Sequence, residues 1–179
     1  SVSPDNKKIT FTALNKLYVM DLDSNQITRL TSFEDETIEA MPNWGPDGKE
    51  IVFVTWNDNK GGSLYKVRSD GKREPFLLTQ SNERRINGVY MNPRWNPAGD
   101  RIVFTIGDAR NYRSSEGPGA FKSNEKIMWI SSKGGQLNYI SDSKGRTYPH
   151  FINDSDRIYL YSYSKAVSYT HLRAHETDS

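Results

Sequence analysis

Short runs of β-branched and aromatic residues alternate with turn-forming residues along most of the chain. The clearest unit is residues 42–53, where an apolar segment ending at Trp44 meets a Gly-Pro-Asp-Gly turn at 45–48 and then an apolar run at 51–53. Asp and Gly provide the side-chain hydrogen bonds and positive φ angles of tight turns. Strand-forming runs on both sides of such a turn predict a β-hairpin, so we expect a fold built from repeated hairpins.

The same unit recurs three more times. The other copies are residues 3–11, 95–104 and 151–160. The proline of the turn, or its counterpart, recurs at Pro4, Pro46, Pro97 and Asn153, which gives periods of 42, 51 and 56 residues. Periods of about 40 to 50 residues built from four short strands are typical of β-propeller blades.

The sequence therefore predicts an all-β fold, a partial β-propeller of about three and a half four-stranded antiparallel blades. The blades are expected at about residues 1–31, 41–79, 92–141 and 147–163. The first blade is expected to lack its first strand, and the fourth to stop after two strands. Apolar residues at matching positions are expected to form the core between neighbouring blades. The two clearest columns are Ile9, Ile51, Ile102 and Ile158, and Phe11, Phe53, Phe104 and Leu160.

Composition narrows the possible functions. The 179 residues include no Cys, which rules out disulfides and thiolate metal sites. The net charge of +2 comes from scattered charges and gives no basic patch for nucleic acid. Apolar runs are strand-sized, so no membrane span is expected. The chain holds no Gly-x-Ser-x-Gly elbow, phosphate loop or His-Glu-x-x-His motif, so we expect no catalytic residues, no cofactor and no metal in it.

The last residues stand apart from the repeats. Residues 167–177 resemble the translation of a transposon-type sequencing adapter, and we interpret 167–179 as an artefact tail. His171 and His175 lie four residues apart in this tail, and we exclude them from the search for a metal site.

The repeat itself resembles a known family. The pattern Trp-x-Pro-Asp-Gly-Lys-x-Ile-x-Phe at 44–53, with Leu-Tyr-x-Val at 64–67 and Leu-Thr at 78–79, resembles the TolB-like, WD40-like (PD40) β-propeller repeat. More narrowly, the segments 148–151 and 156–162, together with 91–95, look most like the propeller that precedes the catalytic domain of exported bacterial amidohydrolases. The metal ligands of such an enzyme would lie beyond this chain, so none is assigned here.

The resemblance implies three alternative functions. In the first, the chain is a non-catalytic accessory propeller that gates substrate access to an exported, amidohydrolase-like hydrolase. In the second, it is a free-standing, TolB-like periplasmic module that binds proteins. In the third, it is the propeller of a prolyl-oligopeptidase-like or tricorn-like peptidase. The resemblance places the protein in the periplasm or outside the cell in each case.

Connection lengths predict which end of the propeller is functional. Antiparallel strands put the first and third turns of every blade at one end, which we call the turn face. The second connections and the links between blades lie at the other end, which we call the loop face. Because the loop face carries long polar connections, we expect it to meet a partner protein or a downstream catalytic domain. The candidate binding residues there are Arg84, Arg85, Asp108, Arg110, Tyr112, Arg113, Glu116 and Lys122; an ordinary solvated loop is the alternative.

A second set of candidates lies on the first strands. Asn43, Arg94 and His150 occupy one equivalent position there, and the first strand of a blade is expected nearest the propeller axis. We therefore expect these residues to line the central channel. The alternative is that each is a polar residue with its hydrogen bonds satisfied inside the fold.

Overall fold

The structure is a computed structural model that describes residues 1–33, 36–79, 88–108, 125–152 and 155–162, with the backbone of 170–173. The strands in these ranges form four separate antiparallel sheets, and no helix occurs among them. Consecutive strands are neighbours in every sheet. This is the architecture of a partial β-propeller, as the repeat pattern predicts.

The strands follow the four sequence repeats. Sheet 1 contains β1 (Lys8–Ala13), β2 (Lys16–Asp21) and β3 (Ile27–Arg29). Sheet 2 contains β4 (Ile38–Trp44), β5 (Glu50–Asn57), β6 (Gly61–Arg68) and β7 (Phe76–Leu77). Sheet 3 contains β8 (Gly88–Trp95), β9 (Arg101–Asp108), β10 (Lys126–Ser131) and β11 (Asn138–Asp142). Sheet 4 contains β12 (Arg146–Phe151), β13 (Arg157–Ser162) and β14 (Thr170–Arg173). In sheet 1 a single antiparallel bridge from Val2 to Ile9 occupies the place of the first strand.

Sheet 4 differs from the sequence expectation. That sheet was expected to end after two strands, but the backbone of β14 pairs antiparallel with β13 between Arg157 and Leu160. The physical reason is that β13 otherwise leaves a row of unpaired N–H and C=O groups, which an extended segment satisfies. The interpretation of residues 167–179 as adapter-derived remains a prediction about their origin.

The core lies between the sheets. One apolar cluster joins sheets 1 and 2, a second joins sheets 2 and 3, and a third joins sheets 3 and 4. The aligned columns form these clusters in sheets 2 to 4, where Ile51, Phe53, Ile102, Phe104 and Leu160 are 0% exposed. In sheet 1 the matching residues, Ile9 and Phe11, are half-buried, because none of the other described sheets packs on that face. Burial thus depends on the neighbouring sheet, as expected for stacked blades.

The Pro-Asp-Gly pattern forms tight turns, as predicted. In sheet 2 the Gly45 N–H donates to the Glu50 carbonyl at 2.8 Å, and the Gly48 N–H donates to the Gly45 carbonyl at 3.0 Å. Gly48 has φ 69°, a conformation that favours glycine. In sheet 3 the same two bonds recur at Asn96 and Gly99, both at 3.0 Å. These turns hold the first and second strands of sheets 2 and 3 in register.

Candidate functional site

The first strands of sheets 2, 3 and 4 share a bulge that the sequence analysis did not predict. In each, the residue before a proline has a positive φ of 53°, and the pairing register with the second strand shifts there. The three residues are Met41, Asn92 and Tyr148. A non-glycine residue in this conformation costs on the order of 1–3 kcal/mol and is kept only where the surrounding structure requires it.

The bulge sets the position of the three residues predicted to line the channel. Asn43, Arg94 and His150 each follow the proline, and each pairs with the second strand just after the register shift. The first strands of successive sheets are in contact, β4 with β8 and β8 with β12. The three residues therefore occupy one repeated place on adjacent strands. Lining of a channel by them remains a prediction.

Asn43 links two sheets. Its side-chain oxygen accepts a hydrogen bond from the backbone N–H of Trp95 at 3.2 Å. Trp95 is the last residue of β8, so this bond joins the first strands of sheets 2 and 3. Asn43 therefore has a structural role, in agreement with the alternative of a satisfied polar residue.

Arg94 lies in a different environment. It is half-buried, and its Nη1 donates to the carbonyl of the adjacent Pro93 at 3.1 Å. Burial lowers the pKa of the guanidinium from its ordinary value. Burial and then the positive charge of Arg94 also lower the pKa of the Ser1 amino group, which belongs to sheet 1. Arg94 of sheet 3 is therefore close enough to Ser1 for the two like charges to interact.

His150 belongs to an aromatic cluster. Its ring stacks on that of Tyr161, with 4.9 Å between centroids, and lies 6.1 Å from the ring of Tyr159. Its Nδ1 is 2.8 Å from the carbonyl oxygen of Tyr148, which fixes the ring at the bulge. Tyr148 and Tyr161 are 44% and 48% exposed. The cluster lies on the face of sheet 4 opposite to the buried Ile158 and Leu160.

Most of the predicted loop-face residues lie outside the described part of the chain. These are Arg84, Arg85, Arg110, Tyr112, Arg113, Glu116 and Lys122. Asp108 is described, and it is the half-buried last residue of β9, paired with Gly88. Its counterpart in sheet 2 is Asn57, whose side-chain oxygen accepts the N–H groups of Asn59 at 2.9 Å and Lys60 at 3.1 Å. The position therefore suits a side chain that organises the start of a connection.

Sequence reasoning missed a buried carboxylate near the loop face. Glu39 on β4 is 0% exposed, and its Oε2 accepts hydrogen bonds from the Leu17 N–H at 2.9 Å and the Thr31 hydroxyl at 2.6 Å. Its Oε1 lies 3.8 Å from Lys16 Nζ. The Lys16 ammonium also donates to the carbonyls of Phe33 at 3.0 Å and Thr37 at 3.1 Å. Glu39 thus ties sheet 2 to sheet 1 through a single side chain.

A cleft separates sheets 3 and 4 on the turn face. The residues that line it are Asn96, Arg101, Val103, Trp129, Phe151, Asp156 and Ile158. At the matching place between sheets 2 and 3, the indole of Trp95 fills the space and lies 3.5 Å from the position of a Cβ on Gly45. Phe151 stands at the corresponding place in sheet 4 and is one of the residues that line the cleft. The Arg101 guanidinium lies 5.1 Å from the centroid of the Trp129 ring and covers one wall.

Among the described residues, no group of three or more His, Cys, Asp and Glu side chains is placed to hold a metal ion. The same residues contain no helix of the length and apolarity needed to cross a bilayer.

Comparisons with known proteins agree with the fold. No protein-family model matches the chain. The chain is 34% identical over 115 residues to an uncharacterised protein of Agrobacterium fabrum, a match that covers 60% of this chain and 35% of that protein. It is similar to the solved structure of a protein assigned as TolB from Agrobacterium tumefaciens, with 26% identity, a TM-score of 0.60, and coverage of 77% of this chain and 46% of the other. It is also similar to an oligogalacturonate lyase from Vibrio parahaemolyticus, with 16% identity, a TM-score of 0.66, and coverage of 90% and 44%.

These matches define what is established. The chain has the fold of a TolB-like β-propeller, in agreement with the resemblance of its repeats. The similarity to the lyase concerns the fold alone. The chain spans 35% of the curated relative and less than half of each of the two solved structures.

Proposed function

We propose that this propeller is a non-catalytic accessory domain that shapes access to the active site of an exported hydrolase, of the amidohydrolase-like type. The observation that carries the proposal is the difference between the two ends of the sheets. At the turn face, the described connections at 45–48 and 96–99 are tight turns closed by backbone hydrogen bonds. At the loop face, residues 78–87 connect β7 to β8, and residues 109–125 connect β9 to β10.

Long connections on a rigid sheet suit the recognition of a second domain. The sheets beneath them are held by buried apolar clusters and by the Glu39 link, so the two ends of each connection are fixed. Binding loops are commonly carried by such scaffolds. The connection 109–125 is rich in Arg and also carries Tyr112, and Arg and Tyr are residue types enriched at binding hot spots. The segments 91–95 and 148–151, which resemble the amidohydrolase-associated propeller, favour a hydrolase as the second domain.

The test uses the parent protein. Reading its gene on both sides of this chain is expected to reveal a hydrolase domain with metal-binding His and Asp residues. Replacing 109–125 in that protein by a short turn like the one between β5 and β6 is expected to change KM for bulky substrates more than kcat for small ones, because a gate acts on entry. Equal effects on both, or a gene that ends soon after the propeller, would exclude the accessory role.

A second candidate function rests on the similarity to the protein assigned as TolB, at 26% identity. In this alternative the propeller is a free-standing module of the periplasm, and its loop face binds another protein of the cell envelope. The completed propeller would then retain a defined envelope protein on an affinity column, and shortening 109–125 would release that protein. Retention that is unchanged by the shortened loop would place the contact elsewhere and refute this alternative.

A further inference from the structure

We infer that Arg94 provides the cationic part of a carboxylate-binding site on the first strand of sheet 3, at the side where the first strands of neighbouring sheets meet. This site is independent of the loop face and of the hydrolase proposal. Three observations support the site: the position of Arg94, its hydrogen bonds, and the chemistry of the residues at the same position in the other sheets.

Arg94 lies where three first strands meet. It follows the strained residue Asn92 and the proline at 93, and it lies on β8, which contacts both β4 and β12. In sheet 2 the same position is held by Asn43, whose side-chain oxygen accepts the Trp95 N–H and joins two sheets. An arginine cannot form that link, because the guanidinium has donors and no acceptor. Sheet 3 therefore lacks an inter-sheet bond that sheet 2 makes, and the side chain placed there is a cation.

Within the described residues, Arg94 uses one of its hydrogen-bond donors. A guanidinium carries five N–H donors, and in the described ranges its bond is the one from Nη1 to the Pro93 carbonyl, at 3.1 Å. None of the ion pairs of the described residues includes Arg94. By contrast Arg68, on the surface of sheet 2, binds the Asp70 carboxylate at 2.8 Å. Arg94 is thus a half-buried cation whose counter-charge does not come from the described chain.

Electrostatics favour an anion at this place. Burial removes water from the Arg94 guanidinium and lowers its pKa, which means that its charged form is short of solvation. The charge of Arg94 also lowers the pKa of the Ser1 amino group, after the effect of burial, so a second cation lies within its electrostatic range. An anion that binds here with good hydrogen-bond geometry offsets part of the free energy that the guanidinium loses on desolvation.

The geometry of the guanidinium selects the type of anion. Its planar fork donates two parallel N–H bonds to a carboxylate, and such bidentate pairs are shorter and stronger than neutral hydrogen bonds. The carboxylate can belong to a peptide, as a C-terminus or an acidic side chain, or to a small acidic molecule such as a uronic acid. The chemistry at Arg94 is the same for both sources, so the experiment must separate them.

The experiment follows two signals of the ¹⁵N-labelled chain by NMR, the Arg94 Nε–Hε group and the backbone amide of the adjacent Trp95; the amide signal reports binding in variants that lack the guanidinium. Titrated ligands are acetate, a blocked dipeptide with a free C-terminal carboxylate, the matching dipeptide amide, glucuronate, inorganic phosphate and chloride, all at constant ionic strength. We expect a saturable shift with the carboxylates and none with the amide. The dipeptide or the glucuronate, whichever binds at least about tenfold more tightly than acetate, identifies the source of the carboxylate.

Variants provide the controls. Arg94→Gln is expected to weaken binding at least about tenfold, and Arg94→Lys to weaken it less, because an ammonium keeps the charge but loses the fork. Arg68→Gln, in an exposed pair elsewhere, is expected to leave binding unchanged. If Arg94→Gln fails to fold, the Arg94→Lys variant and the wild-type comparison of carboxylate with amide still decide the question. Equal shifts with chloride or the amide, tighter binding of inorganic phosphate than of every carboxylate, or unchanged binding in either Arg94 variant would overturn the inference.

Discussion

The buried carboxylate of Glu39 gives the sharpest test of how neighbouring sheets are joined. Its Oε2 is the acceptor for the Leu17 N–H and the Thr31 hydroxyl, and the whole side chain is 0% exposed. The change Glu39→Ala removes this acceptor and the counter-charge of Lys16, whose ammonium lies 3.8 Å from Oε1. Water cannot readily replace them at a fully buried position.

The expected magnitude follows from these contacts. Each buried donor left unpaired costs about 1–3 kcal/mol, and breaking a buried ion pair by removing one partner costs about 3–5 kcal/mol. We therefore expect Glu39→Ala to lower the free energy of unfolding by about 4 kcal/mol. Glu39→Gln keeps the shape and one oxygen acceptor, so its expected cost is about 1–2 kcal/mol.

The assay is urea unfolding with hydrogen exchange measured on the same samples. In Glu39→Ala the Leu17 amide is expected to exchange faster, while amides in the core between sheets 3 and 4 keep their protection against local opening. Lys16→Met serves as the matched control, since it removes the positive partner and leaves the acceptor in place. A loss below about 1 kcal/mol for Glu39→Ala, or equal losses for Ala and Gln, would refute the claim that the oxygen acceptor holds the two sheets together.

Three further predictions concern other sheets and turns. Gly62→Ala is expected to lower the free energy of unfolding by about 1–3 kcal/mol, measured by urea unfolding, because a Cβ there would clash with the Gly88 carbonyl oxygen of the next sheet. An unchanged urea midpoint would contradict this. Phe151→Trp is expected to fill the cleft between sheets 3 and 4 and raise the unfolding free energy by about 0.5–2 kcal/mol, whereas a loss would mean that the cleft walls have no room for an indole. The Asp70 carboxyl is expected to titrate at a pKa of about 2 by NMR, because the Arg68 side chain hydrogen-bonds to it. Its contribution to stability is then present above the ordinary value of 3.8 and is lost as the pH falls towards 2, and Arg68→Gln should return the pKa towards 3.8.

The sequence predicted the repeated parts of the fold well, and physical reasons explain the rest. The columns containing Ile51 and Phe53 were predictable because the same apolar positions recur in every copy, and in sheets 2 to 4 they are buried against the preceding sheet. The starts of the first strands were less predictable. The repeat pattern predicts that the second and third blades start at residues 41 and 92, but β4 and β8 begin earlier, at Ile38 and Gly88. The cause is the bulge, since a proline inside a strand interrupts the alternation that marks it.

The candidate sites were less predictable than the core. Asn43, Arg94 and His150 were found because they align, but sequence could not show that Asn43 bonds a neighbouring strand while Arg94 bonds its own backbone neighbour. Glu39 was missed because it was assigned to a connection rather than to a strand. An acidic residue between Ile38 and an alanine was the available signal, since a charge within an apolar run requires a buried partner.

The proline bulges of the first strands have a consequence for how a ligand can be recognised there. Each of these strands is the outermost strand of its sheet on one side, so its free edge would otherwise be open to an added β-strand. Proline supplies no N–H at that edge, and the shifted register prevents the regular spacing that an incoming peptide strand would need. Main-chain pairing of a peptide along these edges is therefore disfavoured, and we expect recognition there to depend on side chains such as Arg94.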